Sequence, residues 1–140
     1  MRVLNNKGDK RMFNHKAYLQ KNDSMTFDEA VEIYNSIFKI LECNDEYLHE
    51  LWKEVIDSAL VYSNMRVSWN YFSREEKHEK DNLRTSYHNT FMINLKALHK
   101  LSEQLKLDGN WIEKLGSSEN RKRWGDFAGY ILCIENIKAR

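Results

Sequence analysis

Apolar residues recur at steps of three and four along four stretches of the chain, the spacing that places side chains on one face of an α-helix. The first stretch follows a capping box, in which the side chains of Thr26 and Glu29 each bond the other residue's free backbone N–H. Its apolar positions are Phe27, Ala30, Val31, Tyr34, Ile37, Phe38 and Leu41. This pattern predicts a helix that begins at about residue 27 and ends near Cys43.

A second helix is predicted over about residues 45 to 72, with Asn44 or Asp45 as its cap. Near its end Val67, Trp69 and Tyr71 alternate as they would in a strand, but no second strand is nearby to pair with, so we predict helix. A second capping box, at Ser73 and Glu76, then precedes a third helix. The apolar positions of that helix are Leu83, Tyr87, Phe91, Leu95, Leu98, Leu101 and Leu105.

The C-terminal part predicts a turn, a short helix and a last long helix. In the turn at residues 107–110, Gly109 suits the left-handed position that follows a helix. Trp111–Leu115 is a helical turn that Gly116 stops, and Ser117 or Ser118 is the expected cap of the last helix. The apolar positions there are Trp124, Phe127, Ala128, Ile131, Ile134 and Ile137. Four main helices with short connections predict an all-α, antiparallel bundle over residues 24–140.

The N-terminal segment, residues 1–23, has no clear helical pattern and a basic composition. It contains two acids, Asp9 and Asp23, and six basic residues: Arg2, Lys7, Lys10, Arg11, Lys16 and Lys21. A short helix over Lys10–Gln20 is one expectation. The segment fits two interpretations, a solvated flexible tail and a basic arm for phosphate contacts.

Composition narrows the class of protein. A chain of 140 residues with 41% hydrophobic and 31% charged residues is expected to fold as one domain, and the absence of proline permits long helices. The formal charge of +1 provides no overall basic field. Cys43 and Cys133 form no disulfide framework, and there is neither a signal-peptide pattern nor a membrane-length apolar run. We therefore expect a cytoplasmic protein with reduced thiols.

The sequence contains no recognisable motif for nucleophilic catalysis or phosphate binding. GxSxG, P-loop and GxGxxG patterns do not occur. Two Glu-x-x-His pairs, Glu46 with His49 and Glu75 with His78, match the spacing of dimetal carboxylate sites. They stand at the starts of successive helices, which would separate the histidines by roughly 35 Å in a hairpin. We therefore expect no catalytic residue, no cofactor and no metal, which favours a non-enzymatic role.

A candidate polar pocket is predicted where the third and last helices would face each other. It comprises Arg84, His88 and Asn89 of the third helix and Asp126, which lies in the most apolar part of the last helix. Because a buried carboxylate is costly unless it is paired, Arg84 or His88 is the expected partner of Asp126. The group fits either a structural pair that fixes helix register or a ligand pocket, in which Arg84 would anchor an anion and His88 would titrate.

Two further groups are candidates for contacts with other molecules. The basic run Arg121, Lys122 and Arg123 opposes the dipole at the start of the last helix, so helix stability does not explain it. It would contact phosphate or an acidic partner, or form a solvated face. The second group has more apolar surface than one helix face can bury, which indicates either an interface or core packing. Its members are Tyr62, Met65, Trp69, Tyr71 and Phe72.

The C-terminal half also resembles a group of known sequences. The residues that carry the similarity are Arg84, His88, Asn89, Phe91, Trp111, Arg121 and the run Gly125–Ala128. Through them, residues 83–135 resemble small uncharacterised helical proteins of Gram-positive bacteria and their prophages. The resemblance implies a bacterial or phage origin and an all-helical fold, and it assigns no activity and no residue role.

Three function classes are compatible with these observations. The first is a non-enzymatic protein-interaction or regulatory module, whose partner is another protein or a second copy of the chain. The second is binding of nucleic acid or a nucleotide through the basic segment 1–23 and Arg121–Arg123. The third is a small-ligand or enzyme pocket around Arg84, His88 and Asp126. The aromatic excess on the second helix, together with the pair Gly125 and Gly129, favours the first.

Overall fold

The computed structural model describes residues 24–107 and 110–138, and within them five helices pack against one another with no strand. The helices are α1 (Phe27–Ile40), α2 (Glu46–Trp69), α3 (Arg74–Gln104), α4 (Asn110–Leu115) and α5 (Arg121–Lys138). The predicted all-α bundle is confirmed. The basic segment 1–23, including the helix expected over Lys10–Gln20, lies outside the described residues.

Local hydrogen bonds of the predicted kind begin the first three helices. In both capping boxes the Glu side chain accepts from the cap N–H at 2.9 Å and the hydroxyl accepts from the Glu N–H at 3.1 Å, for Thr26 with Glu29 and for Ser73 with Glu76. Asp45 caps α2 by accepting from the Leu48 N–H at 2.9 Å. These contacts satisfy backbone donors that have no partner inside the helix.

Helices α2 and α3 form an antiparallel hairpin around residues 70–73. The alternating stretch at the end of α2 is helical as far as Trp69. The Trp69 ring lies beside Arg84, and the Tyr62 ring lies beside His88. Moving back along α2 therefore corresponds to moving forward along α3, and this register determines which side chains of the two helices meet.

The end of α3 differs from the prediction that placed a left-handed residue at Gly109. The residue with positive φ after α3 is Lys106, at 62°, and Gly109 is not among the described residues. The Leu107 N–H donates to the Ser102 carbonyl at 2.9 Å and the Lys106 N–H donates to that of Glu103 at 3.0 Å. These two bonds form a Schellman motif, whose left-handed position usually holds glycine.

Replacing Lys106 by glycine is expected to stabilise the protein by about 0.5–1 kcal/mol. The left-handed conformation costs a residue with a Cβ atom, and this gain exceeds the extra chain entropy that glycine brings to the unfolded state. Urea unfolding of the wild type and Lys106→Gly measures the difference. Lys100→Gly, inside α3, is the control and should be destabilising by about 1 kcal/mol. A loss of stability in Lys106→Gly would contradict the assigned backbone conformation.

The core contains most of the predicted apolar positions. The largest fully buried side chains are Trp111, Trp124, Tyr34, Phe91, Phe127, Ile33, Ile37, Leu48, Leu95, Leu98, Leu115 and Ile131. Five predicted core positions are instead exposed: Phe27, Phe38, Leu83, Leu105 and Ile137. Phe27 and Phe38 pack by one side only, against the rings of Tyr130 and Tyr34, because they lie at the borders of the buried face of α1.

The cap of α5 is Asn120, where the sequence had predicted Ser117 or Ser118. The Asn120 side-chain oxygen accepts from the Arg123 N–H at 3.2 Å. Residues 117–120 form a separate turn, closed by the Asn120 N–H and the Ser117 carbonyl at 3.0 Å, so the helix starts later than expected. Over the described ranges, none of the helices has the length and apolar character needed to cross a membrane.

Candidate anion-binding pocket

A pocket of about 430 Å³ opens between the end of α2, the first half of α3 and the start of α5. Its volume falls within the range of small-molecule sites. The lining residues are Tyr62, Arg66, Trp69, Asn70, Arg84, Thr85, His88, Arg121 and Lys122. Four of them carry a positive charge, and none of the lining residues that the structure describes has a carboxylate. We call this site the cationic pocket.

The hairpin register divides the cationic pocket into two ends. Tyr62 and Arg66 of α2 lie level with His88 of α3 and with the start of α5, and this is the cation end. Trp69 and Asn70 lie level with Arg84 and Thr85 near the α2–α3 turn, and this is the hairpin end. The two ends are separated by about one helical turn, roughly 5 Å along the axes.

Asp126 lies beneath the cation end, where it is 1% exposed and holds two of the lining cations. Its Oδ1 lies 2.8 Å from Nη2 of Arg66, and its Oδ2 lies 3.0 Å from Nζ of Lys122. The Ser24 hydroxyl also donates to Oδ2, at 2.5 Å. The carboxylate therefore fixes where both cations stand, while Lys122 stays largely in solvent.

The predicted pairing of Asp126 with Arg84 or His88 is wrong in its partners, although Asp126 is buried and paired as expected. Lys122 precedes Asp126 by one turn of α5, and Arg66 reaches it from α2. Arg84 lies at the other end of the pocket. Its guanidinium carbon is 4.1 Å from the Trp69 ring centroid, and its Nη2 is 2.9 Å from Oδ1 of Asp81.

Gly125 allows the approach of Arg66 to Asp126. A Cβ atom at this position would lie 2.9 Å from Oη of Tyr62, 3.0 Å from its Cε2 and 3.2 Å from Nη1 of Arg66. A glycine inside a helix usually indicates that a neighbouring helix backbone approaches closely. The atoms that occupy the space here belong to side chains of α2.

His88 is 5% exposed and forms part of the floor at the cation end. Its Nε2 lies 2.8 Å from the Arg121 carbonyl oxygen, and since a carbonyl only accepts, Nε2 carries the proton and donates. Its Nδ1 is buried and has no hydrogen-bond partner among the described residues. Burial, followed by the positive charges of Arg121 and Arg66, lowers the pKa of His88 below its ordinary 6.5.

The stability of the protein is expected to fall as pH drops below about 6.5. With the pKa of His88 lower in the folded state, the unfolded chain takes up the proton first, so the neutral imidazole stabilises the fold fully above that pH. Urea unfolding at pH 8 and pH 5 measures the effect, which should be smaller in His88→Gln. The exposed His78→Gln is the matched control, and equal pH dependence in both variants would contradict the assignment.

Arg121 is positioned by neutral groups. Its Nη2 donates to the Asn89 side-chain oxygen at 2.8 Å, and its Nη1 lies 3.7 Å from the Met92 sulfur. No carboxylate of the described chain pairs with Arg121. Asn89, predicted as a pocket residue, is exposed and acts by orienting Arg121 rather than by lining the pocket.

Arg123, the last residue of the predicted basic run, points away from the cationic pocket. Its Nε donates to the Leu115 carbonyl at 2.7 Å and its Nη2 donates to that of Lys114 at 3.0 Å. A third bond, from Nη1, reaches the Ser24 carbonyl. Arg123 therefore connects α5 to the end of α4 and to the segment before α1, whereas Arg121 and Lys122 line the pocket.

The aromatic group predicted as an interface is divided in the structure. Tyr62 and Trp69 line the pocket, and Phe72 packs edge-on against Trp69 with ring centroids 5.8 Å apart. Met65 is half-buried, and Tyr71 is 71% exposed. Much of the apolar surface that one helix face cannot bury therefore belongs to the wall of the cationic pocket.

Sequence reasoning missed Arg66, Asn70 and Thr85 as lining residues. A signal existed for Arg66, because it follows Tyr62 by one helical turn and so continues the apolar stripe of α2 with a cation. Asn70 and Thr85 carry no such signal, since polar residues near a helical turn are ordinary.

The described residues offer no site for a metal ion, and no known protein gives further information about the pocket. Within residues 24–107 and 110–138, no group of three or more His, Cys, Asp or Glu side chains could hold a metal ion. His49, one of the histidines considered for a metal, lies with Nε2 3.2 Å from the Cys43 carbonyl. No protein-family model, no curated protein and no solved structure matches the chain.

Proposed function

We propose that the protein binds a small phosphate-bearing ligand in the cationic pocket. The observation that carries the proposal is the convergence of Arg66, Arg84, Arg121 and Lys122 from three helices on one cavity whose lining, among the described residues, has no carboxylate. Guanidinium and ammonium groups are the usual partners of phosphate oxygens, and Arg adds paired, directional N–H donors.

Arg121 supports the proposal most directly. The other arginines of the pocket each have a carboxylate nearby, Asp126 for Arg66 and Asp81 for Arg84. Arg121 is held only by an amide and a thioether, so its charge is oriented without being neutralised by the described chain. A bound anion would supply the missing negative charge.

The charge around the pocket favours a small ligand over a long nucleic acid. The first two turns of α3, which precede its pocket residues, carry three cations and four acids. These residues are Arg74, Lys77 and Lys80, with Glu75, Glu76, Glu79 and Asp81. Binding along a nucleic-acid backbone requires an extended positive surface. The positive charge at this site is concentrated in the cavity itself.

Isothermal titration with pyrophosphate, followed in parallel by thermal shift, tests the proposal. We expect binding that weakens about tenfold in Arg121→Gln, because a charge-assisted hydrogen bond is lost. Arg74→Gln, which removes a charge outside the pocket, is the matched control and should bind like the wild type. Absence of binding at millimolar pyrophosphate, or equal weakening in both variants, would overturn the proposal.

A protein-interaction role is the second candidate, because Tyr71 exposes 71% of its surface at the α2–α3 turn. Tyr is among the residues enriched in protein interfaces. A mass measured by light scattering over a concentration series tests self-association. A constant monomer mass would argue against a homo-oligomer and leave only a different protein as partner.

A further inference from the structure

We infer that the phosphate-bearing ligand is a nucleotide, with its phosphate at the cation end of the pocket and its base at the hairpin end. This inference rests on the proposed function and adds the part of the ligand that phosphate chemistry leaves open. It depends on the two ends of the pocket having different chemistry at a fixed separation.

The cation end suits phosphate. Arg66, Arg121 and Lys122 meet there, and Asp126 from below holds Arg66 and Lys122. His88, also at this end, directs its Nε2 to the Arg121 carbonyl, and burial lowers the pKa of its imidazole below the ordinary value. The end therefore offers several N–H donors and few acceptors, which matches a group that only accepts hydrogen bonds.

The hairpin end suits a planar heterocycle. The Trp69 ring and the Arg84 guanidinium pack on each other at 4.1 Å, and nucleic-acid bases stack on both kinds of plane. Asp81 binds the Arg84 guanidinium at 2.9 Å and so restrains it. An inorganic anion would make no use of an aromatic ring, whereas a base would bury it.

Polar groups that can recognise the edge of a base adjoin Trp69. Asn70 caps the end of α2, lines the pocket and is exposed, and its amide both donates and accepts. Thr85 adds a hydroxyl from α3. This combination matches the mixed donors and acceptors of a base edge or a ribose. The separation of about one helical turn between the two ends corresponds to the ribose that connects a base to its phosphate.

The test compares ligands with and without a base on the full-length protein. The probes are AMP, GMP, CMP and UMP, with ribose 5-phosphate and pyrophosphate as ligands that lack a base. Of the four tryptophans, Trp52, Trp111 and Trp124 are buried, so Trp69 is the one at the pocket. We expect at least one mononucleotide to bind about tenfold more tightly than ribose 5-phosphate and to quench tryptophan emission.

Substitutions at Trp69 and Arg121 test the two ends of the pocket separately. Trp69→Leu should weaken binding of the best mononucleotide about tenfold and change binding of ribose 5-phosphate less than twofold, because it removes the stacking surface and leaves the residues of the cation end in place. Trp69→Phe keeps a ring, so it should retain most of the affinity while losing the emission change, and it serves if the leucine variant fails to fold. Arg121→Gln should weaken binding of the best mononucleotide and of ribose 5-phosphate by the same factor.

The outcomes distinguish the inference from the proposed function. Equal affinity for mononucleotides and ribose 5-phosphate, with no effect of Trp69→Leu, would overturn the inference that the ligand is a nucleotide and would leave the proposal of phosphate binding intact. No binding of any phosphate compound would overturn both. Mononucleotide binding that Trp69→Leu weakens and Arg121→Gln leaves unchanged would place the base as inferred and overturn the phosphate site.

Discussion

Replacing Asp126 by alanine is expected to lower the free energy of unfolding by about 3 kcal/mol, because the change removes the buried carboxylate that pairs with a mostly buried arginine. Asp126 is 1% exposed, and the side chain of its partner Arg66 is 13% exposed. The Lys122 side chain is 55% exposed, so water can solvate its ammonium after the substitution. The expected loss therefore arises mainly from Arg66, together with the loss of the Ser24 hydrogen bond.

A compensating double variant tests this explanation. Asp126→Leu alone should lower the free energy of unfolding about as much as Asp126→Ala. The double variant, Arg66→Met with Asp126→Leu, should have a free energy of unfolding within roughly 1 kcal/mol of the wild type, since apolar groups can replace a buried ion pair. Lys122→Met is the control and should cost less than about 1 kcal/mol, as expected for an exposed pair. Urea unfolding measures all four variants. A double variant as unstable as Asp126→Leu would contradict the assigned pair.

The same double variant has a functional consequence. It restores stability while it removes the Arg66 charge and the carboxylate that orients Lys122 at the cation end. A folded protein with weakened pyrophosphate binding would show that this buried pair is retained for the pocket rather than for stability.

The helices and most of their caps could be predicted from the sequence, because they depend on neighbours within four residues. Thr26 with Glu29 and Ser73 with Glu76 each form their contacts locally. The end of α3 was harder to predict from the sequence, because the nearby Gly109 suggested that glycine as the left-handed residue. Lys106 takes that position at an energetic cost that no propensity reveals in advance.

The candidate site was predicted only in part, because its contacts depend on the register between helices. A carboxylate among apolar residues identified Asp126 as buried and paired, yet periodicity could not select Arg66 over Arg84 as its partner. The basic run illustrates the same limit. Successive residues of a helix point about 100° apart, so Arg121 and Lys122 reach the pocket while Arg123 binds carbonyls of α4.

The predicted protein-interaction role depended on the aromatic residues of α2 as an exposed group. Tyr62 and Trp69 lie instead in a concave site beside Arg66 and Arg84. Aromatic and basic residues that alternate on two antiparallel helices produce such a wall when the register aligns them. This arrangement favours a ligand-binding function over an interaction module.

Gly125→Ala is expected to destabilise the protein by about 2 kcal/mol, although alanine is the better helix former by about 1 kcal/mol. The new methyl group would lie 2.9 Å from Oη and 3.0 Å from Cε2 of Tyr62, distances at which atoms must move. Tyr62 cannot retreat easily, because its ring is buried and packs edge-on against His88 with centroids 4.9 Å apart. The strain therefore spreads from α5 through α2 to the floor of the pocket.

A double-mutant cycle with Tyr62→Phe isolates this contact. Removing the hydroxyl eliminates the closest approach and leaves that of Cε2, so Gly125→Ala should cost less in the phenylalanine background, with a coupling energy of at least about 0.5 kcal/mol. Urea unfolding of the four proteins measures the cycle. A gain of about 1 kcal/mol from Gly125→Ala alone, as at an unobstructed helix position, would contradict the close packing of α5 on α2. Because Arg66 passes the same glycine to reach Asp126, that result would also remove the structural basis for the cation end.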